Sequence, residues 1–189
     1  LETKFMKIKK IISITILIII TICCDDKISL SLPSVFSDQM ILQRETEVSF
    51  WGKSSPKENI KVTGSWGKSS STIADNNGKW QLKLSTHSAG GPYEVVVNDS
   101  KNSITYKDVL IGEVWLASGQ SNMQWKLNQC KDCINNQDEE IENANYNQIR
   151  FFNNPTDLSG TIINSQKWKN VNPKDASEME DSFSTENYS

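Results

Sequence analysis

Ser121 is the residue best placed to do chemistry, because it stands where an apolar strand pattern runs into a helical one. The stretch Trp115-Leu116-Ala117-Ser118-Gly119-Gln120-Ser121-Asn122-Met123 follows Val109-Leu110-Ile111 and overlaps Val114-Trp115-Leu116. These apolar runs read as a short strand buried on both faces, as in the middle of a parallel sheet, ended by Gly119. Met123, Leu127, Cys130 and Ile134 then recur at helical spacing and put Ser121 at the start of the helix. Free backbone N–H groups there favour developing negative charge, so a serine hydroxyl attacking an ester carbonyl would find its oxyanion stabilised. Serine and asparagine are also ordinary N-cap residues, and geometry alone leaves Ser121 as either a cap or a nucleophile.

A serine nucleophile needs a base, usually a histidine steered by a carboxylate. The chain has one histidine, His87, inside Leu84-Ser85-Thr86-His87-Ser88-Ala89-Gly90, which reads as a turn far from Ser121 in sequence. Cys130-x-x-Cys133 offers no second ligand pair for tetrahedral zinc and no thioredoxin-like frame. A local disulfide or two thiols on a helix face is the expectation. The Gly-Lys-Ser triplets at 52–54 and 67–69 lack the earlier glycine of a phosphate loop, since Glu47 and Val62 stand there.

The elements that would position Ser121 come before it. Between Ile28 and Tyr106 apolar residues alternate with polar ones: Val48 and Phe50, Ile60 and Val62, Trp80 with Leu82 and Leu84, Tyr93 with Val95 and Val97. Asn77-Gly78 marks a tight hairpin and Gly90-Gly91-Pro92 a looser turn. Short antiparallel strands at this spacing predict a β-sandwich. Trp80 and Trp115 sit on strand patterns and are expected to be buried. Trp125, just past the serine, is a candidate wall for a substrate, as is Asn122. Beyond it the acidic run Asp138-Glu139-Glu140 reads as a solvated helix face, and 153–189 as loop, with Thr161-Ile162-Ile163 the one strand-like hint.

The block around Ser121 does not fit the G-x-S-x-G elbow, because Met123 replaces the second glycine. It resembles the first motif block of the SGNH (GDSL-like) hydrolases, in the Gly-Gln-Ser-Asn-Met form of sialate O-acetylesterases and related carbohydrate acetylesterases. The resemblance extends over Leu32-Pro33-Ser34-Val35-Phe36-Ser37-Asp38-Gln39-Met40-Ile41-Leu42-Gln43-Arg44, Val48 through Gly52, Asp75 through Trp80, Gly90-Gly91-Pro92-Tyr93 and Asp108 through Trp115. Past Trp125 it thins to Ile149-Arg150-Phe151-Phe152, Trp168 and Phe183-Ser184. It implies an α+β multidomain chain: a β-sandwich over 28–107, then over 108–189 the beginning of an α/β SGNH domain, flavodoxin-like, three-layered and truncated. It also implies Ser121 as nucleophile and backbone oxyanion donor, an acetylated glycan or sialic acid as substrate, and no metal or organic cofactor. The family's Asp-x-x-His and its later glycine and asparagine oxyanion donors have no match here, so the expectation is an incomplete form.

At 189 residues, 37% hydrophobic, with a net charge of −3, the chain suits one comfortable or two small domains. No basic patch invites nucleic acid. Met6-Lys7-Ile8-Lys9-Lys10 and the apolar residues 11–22 read as a signal peptide with its start at Met6, too short to span a membrane. Cys23 and Cys24 stand where a lipoprotein is acylated, so residues 1–24 form an export leader and any membrane contact would run through a lipid. The protein is then periplasmic, anchored or secreted. Two rivals stand beside the esterase: a non-catalytic glycan-binding or adhesion module, and an acetylxylan-type esterase. On the export reading the mature protein begins near Cys23 or Cys24, which intact-mass spectrometry of the native product checks. A cytoplasmic product that keeps residues 6–22 would refute it.

Overall fold

Alternation with a period of two dominates the chain, and strands dominate the structure. The computed structural model describes residues 28–117, 135–153 and 166–174. The strands are β1 (Ile41–Gln43), β2 (Glu47–Lys53), β3 (Asn59–Gly64), β4 (Lys68–Ile73), β5 (Lys79–Ser85), β6 (Gly90–Asn98), β7 (Ser103–Gly112), β8 (Tyr146–Phe151) and β9 (Lys169–Val171). A short helix, α1 (Gln137–Glu142), precedes β8. It buries nothing and carries Asp138, Glu139 and Glu140 in its first turn, where carboxylates complement the helix dipole.

β1-β7-β6-β3-β4 form a mixed five-stranded sheet, β2 and β5 a separate antiparallel ribbon, and β8 and β9 a third small pair. The five-stranded sheet and the β2–β5 ribbon enclose one core. Ile60 and Val62 of β3, Val95 and Val97 of β6, and Val109 and Ile111 of β7 meet Phe50 of β2 and Trp80, Leu82 and Leu84 of β5. Each such side chain contributes roughly 1.5–3 kcal/mol relative to exposure. The alternation read from the sequence is therefore the pattern of the core.

Several local expectations are corrected. The strands are not all antiparallel, since β1 runs parallel to β7 with Ile41 opposite Leu110 and Gln43 opposite Gly112. Asn77-Gly78 does make a tight turn: Gly78 has a φ of 74°, and Asp75 Oδ1 accepts from the amides of Asn77 and Lys79 at 2.8 Å. It is not a hairpin, because β4 and β5 belong to different sheets. Gly90-Gly91-Pro92 lies inside β6, where the register slips between Gly90 and Tyr93. The polar β4 (Lys-Ser-Ser-Ser-Thr-Ile) carries no apolar alternation, because an edge strand need not bury either face. β8 and β9 carry none either, being short and largely exposed.

β7 carries a bulge that matters for everything after it. Val95 faces Tyr106 and Tyr93 faces Val109, so β7 spends one residue more than β6 between these pairs. The extra residue falls near Asp108, whose φ is 54°, and it switches the inward parity from Ile104 and Tyr106 to Val109 and Ile111. The strand runs on to Gly112, past the 107/108 boundary expected from the sequence.

The bulge leaves polar backbone atoms to be satisfied, and Arg150 of β8 satisfies them. Its Nη1 donates to the carbonyl oxygens of Gln39, at 2.9 Å, and of Asp108, and its Nη2 donates to Asp108 Oδ1 at 2.8 Å. Gln39, like Asp108, has a positive φ, of 68°. The Arg150 side chain is only 4% exposed. Beside it, Trp168 donates from Nε1 to the Val35 carbonyl at 2.8 Å and packs against Phe152. Arg150→Ala is expected to lower stability by about 2–3 kcal/mol, the scale for losing hydrogen bonds from a buried charge to a partner that stays partly solvated. Arg150→Lys should recover less than half, since an ammonium cannot span two carbonyls and a carboxylate as a guanidinium fork does. Urea unfolding of the three proteins checks both statements.

Candidate functional site

The segment that leads toward Ser121 begins where β7 leaves the sheet. Arg44 N donates to Gly112 O at 2.9 Å, closing the β1–β7 pairing. Beyond it the Glu113 carboxylate is held from two sides. Gln43 Nε2 donates to Oε2 at 3.0 Å and Arg44 Nε to Oε1 at 2.6 Å. Gln43 then uses its own Oε1 to accept from Val114 N at 2.8 Å. Three consecutive units, Gly112, Glu113 and Val114, are thus tied to Gln43 and Arg44.

The electrostatics follow from this geometry. The Gln43 and Arg44 hydrogen bonds hold the Glu113 carboxyl below the usual carboxylate range, against a smaller opposing effect of burial. The same Glu113 carboxylate raises the Arg44 guanidinium. Because Glu113 is depressed when folded, the clamp's contribution is present above the unfolded carboxyl pKa and fades as pH falls through the folded one. Both side chains are solvated, so the clamp orients the chain more than it stabilises it.

Past the clamp, the expectation of a strand buried on both faces is overturned. Val109 and Ile111 are buried, but they belong to the five-stranded sheet, with β6 antiparallel on one side and β1 parallel on the other. The strand ends at Gly112 and not at Gly119. Val114, Trp115 and Leu116 lie in no strand and are 44%, 87% and 80% exposed. Trp115 is therefore not a core tryptophan, whereas Trp80, at 4% exposure, is one. Periodicity could not separate the two, because an apolar triplet reads the same in a strand and in an extended exit.

Ser121, Asn122 and Trp125 lie outside the described residues, as do the helical pattern from Met123 to Ile134, the Cys130 and Cys133 pair, the strand-like Thr161–Ile163 and the leader. His87 is described. It follows β5 on the same rim as the clamp, its carbonyl accepting from Glu45 N at 3.1 Å and the neighbouring Thr86 Oγ1 donating to Gln43 O at 2.7 Å. Its Nδ1 lies 2.6 Å from the Ser88 carbonyl, which can only accept, so Nδ1 carries the proton. The ring packs edge-on to Trp66 and Tyr93, with centroids 6.4 and 5.3 Å away. Among the described residues no aspartate or glutamate steers it as a triad carboxylate would. The clamp residues Gln43, Arg44 and Glu113 are what residue-by-residue reading missed, although all three stand in the blocks that carry the family resemblance.

No protein-family model matches the chain. It is 30% identical over 152 residues to the sialate O-acetylesterase of Mus musculus, a match covering 75% of this chain and 28% of that protein. It is 32% identical over 130 residues to the sialate O-acetylesterase of Homo sapiens, covering 63% of this chain and 24% of that one. Among solved structures, a carbohydrate acetylesterase from Xanthomonas citri superposes with a TM-score of 0.69 at 34% identity, over 80% of this chain and 35% of that chain. The matches thus span about a quarter to a third of these relatives' own lengths. Over the matched residues the chain is thus similar, at 30–34% identity and with a shared fold, to sialate O-acetylesterases and to a carbohydrate acetylesterase.

Proposed function

We propose that this chain contributes the serine nucleophile of an exported carbohydrate O-acetylesterase. The observation that carries the reading is the similarity to sialate O-acetylesterases and a carbohydrate acetylesterase, in a chain whose family-type block Gly119-Gln120-Ser121-Asn122-Met123 begins five residues after the clamped Val114. In this reading residues 28–112 form a β-sandwich and the Ser121 block opens an α/β domain of the SGNH type. Ser121 Oγ attacks the acetyl carbonyl carbon as its proton passes to a base. The sugar oxygen leaves with a proton, and the acetyl group stays on the serine until water releases it as acetate. The Ser121 backbone N–H contributes to binding the oxyanion, and Asn122 and Trp125 line the substrate.

The base is the open half of this mechanism. The sequence contains no Asp-x-x-His, and among the described residues the partner of His87 Nδ1 is the Ser88 carbonyl rather than a carboxylate. General-base assistance contributes ~10²–10⁴-fold, so a serine without it is a poor nucleophile at neutral pH. These 189 residues by themselves are therefore proposed to be a poor esterase that requires a base from outside the sequence. Residues 1–24 are proposed to direct export, with lipid attachment at Cys23 or Cys24 or simple cleavage as its two forms.

Joined to the remainder of a family catalytic domain, Ser121→Ala is expected to lower hydrolysis of a chromogenic acetyl ester by about three orders of magnitude or more. Turnover near that of the parent would remove Ser121 from the mechanism. The 189-residue chain alone should show no serine-dependent hydrolysis. Activity that disappears in both Ser121→Ala and His87→Ala would instead identify His87 as the base.

A further inference from the structure

The outer face of the β2–β5 ribbon has a composition that the esterase reading does not use. Trp51 is 43% exposed there, opposite Gln81. Lys53 stands opposite Lys79, one pleat further along the same face, and Lys83 opposite Ser49 on the other side of Trp51. This face and the segment at 31–34 enclose a groove of about 720 Å³, within the range of ligand sites.

The groove is built rather than incidental. The Trp51 ring is held edge-on by Phe36 at 4.7 Å, and Phe36 stacks on the fully buried Phe50 at 4.9 Å. A platform fixed in this way loses little freedom on binding. Beside it Gly52 lets the segment at 31–34 approach closely: a Cβ there would lie 2.1 Å from the Ser31 carbonyl oxygen and 2.9 Å from the Trp80 ring. Ser31 pairs with Lys53 through two 2.9 Å backbone hydrogen bonds, so the wall is fixed to the floor. Trp80 also borders the groove, with its indole N–H buried beneath it and without an acceptor among the described residues.

The charges point to the occupant. Like charges directly opposite one another on paired strands are destabilising, and Lys53 and Lys79 keep that arrangement. Among the described residues no ion pair joins either to a carboxylate. Asp75, the acidic residue lining the groove, turns its Oδ1 to the amides of Asn77 and Lys79. An anion placed between the two ammonium groups would relieve their repulsion. An apolar ring flanked by a planar amide and two cations fits a sugar that offers a C–H face, hydroxyls and a carboxylate.

We propose that the groove over Trp51 binds an oligosaccharide bearing a carboxylated sugar, as a subsite separate from the Ser121 chemistry. The sugar ring lies on Trp51, Gln81 takes its hydroxyls, and Lys53 and Lys79 take its carboxylate. It goes beyond the proposed esterase reading and does not depend on it.

The test titrates 3′-sialyllactose into the 189-residue chain carrying Ser121→Ala, so that the fate of the esterase reading leaves the outcome unchanged. Indole N–H resonances, assigned with Trp51→Phe, report occupancy. Binding is expected, weakened about tenfold or more by Trp51→Ala, the loss expected on truncating a central aromatic anchor. Lys53→Gln with Lys79→Gln should reduce binding of sialyllactose to the level of neutral lactose, with no loss of thermal stability. Absent binding, binding unchanged in Trp51→Ala, or equal binding of lactose and sialyllactose by the parent would overturn the proposal. Because Trp51, Lys53 and Lys79 point outward, the variants are expected to fold. Should Trp51→Ala not fold, Trp51→Leu keeps a hydrophobic side chain without the flat platform and decides the question.

Discussion

The pairing of β1 with β7 is the constraint on which the route to the serine depends. Only three residues of each strand take part, Ile41–Gln43 against Leu110, Ile111 and Gly112, and a ladder that short would fray by itself. It is secured at both ends by side chains that reach from elsewhere. At the start, Arg150 binds the carbonyls of Gln39 and Asp108. At the finish, Gln43 and Arg44 grip Glu113 and the Val114 amide. One end is buried and contributes stability, while the other is solvated and contributes direction.

The bulge near Asp108 explains why both clasps are needed. An extra residue in β7 turns Val109 and Ile111 into a core shared with Phe50 and Leu84, while Asp108 at the bulge and Gln39 bonded beside it, both with positive φ, present carbonyls that need donors. A guanidinium is suited to this, since it offers several donors in one plane and accepts nothing. Arg150 and Trp168 thereby hold the short β8–β9 pair against the β unit at 33–40 and at Asp108. Among the described residues the later part has a core of only Ala144 and Val171 with Phe151 beside them, so its ties to the β unit hold it in place.

On the proposed esterase reading the arrangement has a plain use. A nucleophile has to be held within a fraction of an ångström of its partners, and a site carried by a rigid sheet edge is positioned better than one on a free loop. The segment 112–114, tied to the end of β1, lies seven residues before Ser121 in the sequence. The same β unit presents Trp51 and its lysines on the ribbon's outer face, so one core supports two surfaces with different chemistry.

Much of this was legible in the sequence, and the reason is local. Period-two alternation depends only on which side of a strand each residue faces, so Phe50, Ile60, Val62, Leu82, Leu84, Val95 and Val97 announced their burial. The solvated acidic helix and the Asn77-Gly78 turn were equally local, and the block around Ser121 carried the family resemblance in consecutive letters. What tertiary structure decided was every feature made by residues far apart in the chain. Nothing in Val114-Trp115-Leu116 says that the strand has ended, because the Gln43 and Arg44 groups that draw Glu113 aside lie about 70 positions earlier. Parallel pairing of β1, the parity switch at Asp108, the assignment of β4 and β5 to different sheets and the burial of Arg150 likewise depend on partners that no window of sequence contains. Local patterns record what each residue prefers, and the fold alone determines which distant donor meets which acceptor.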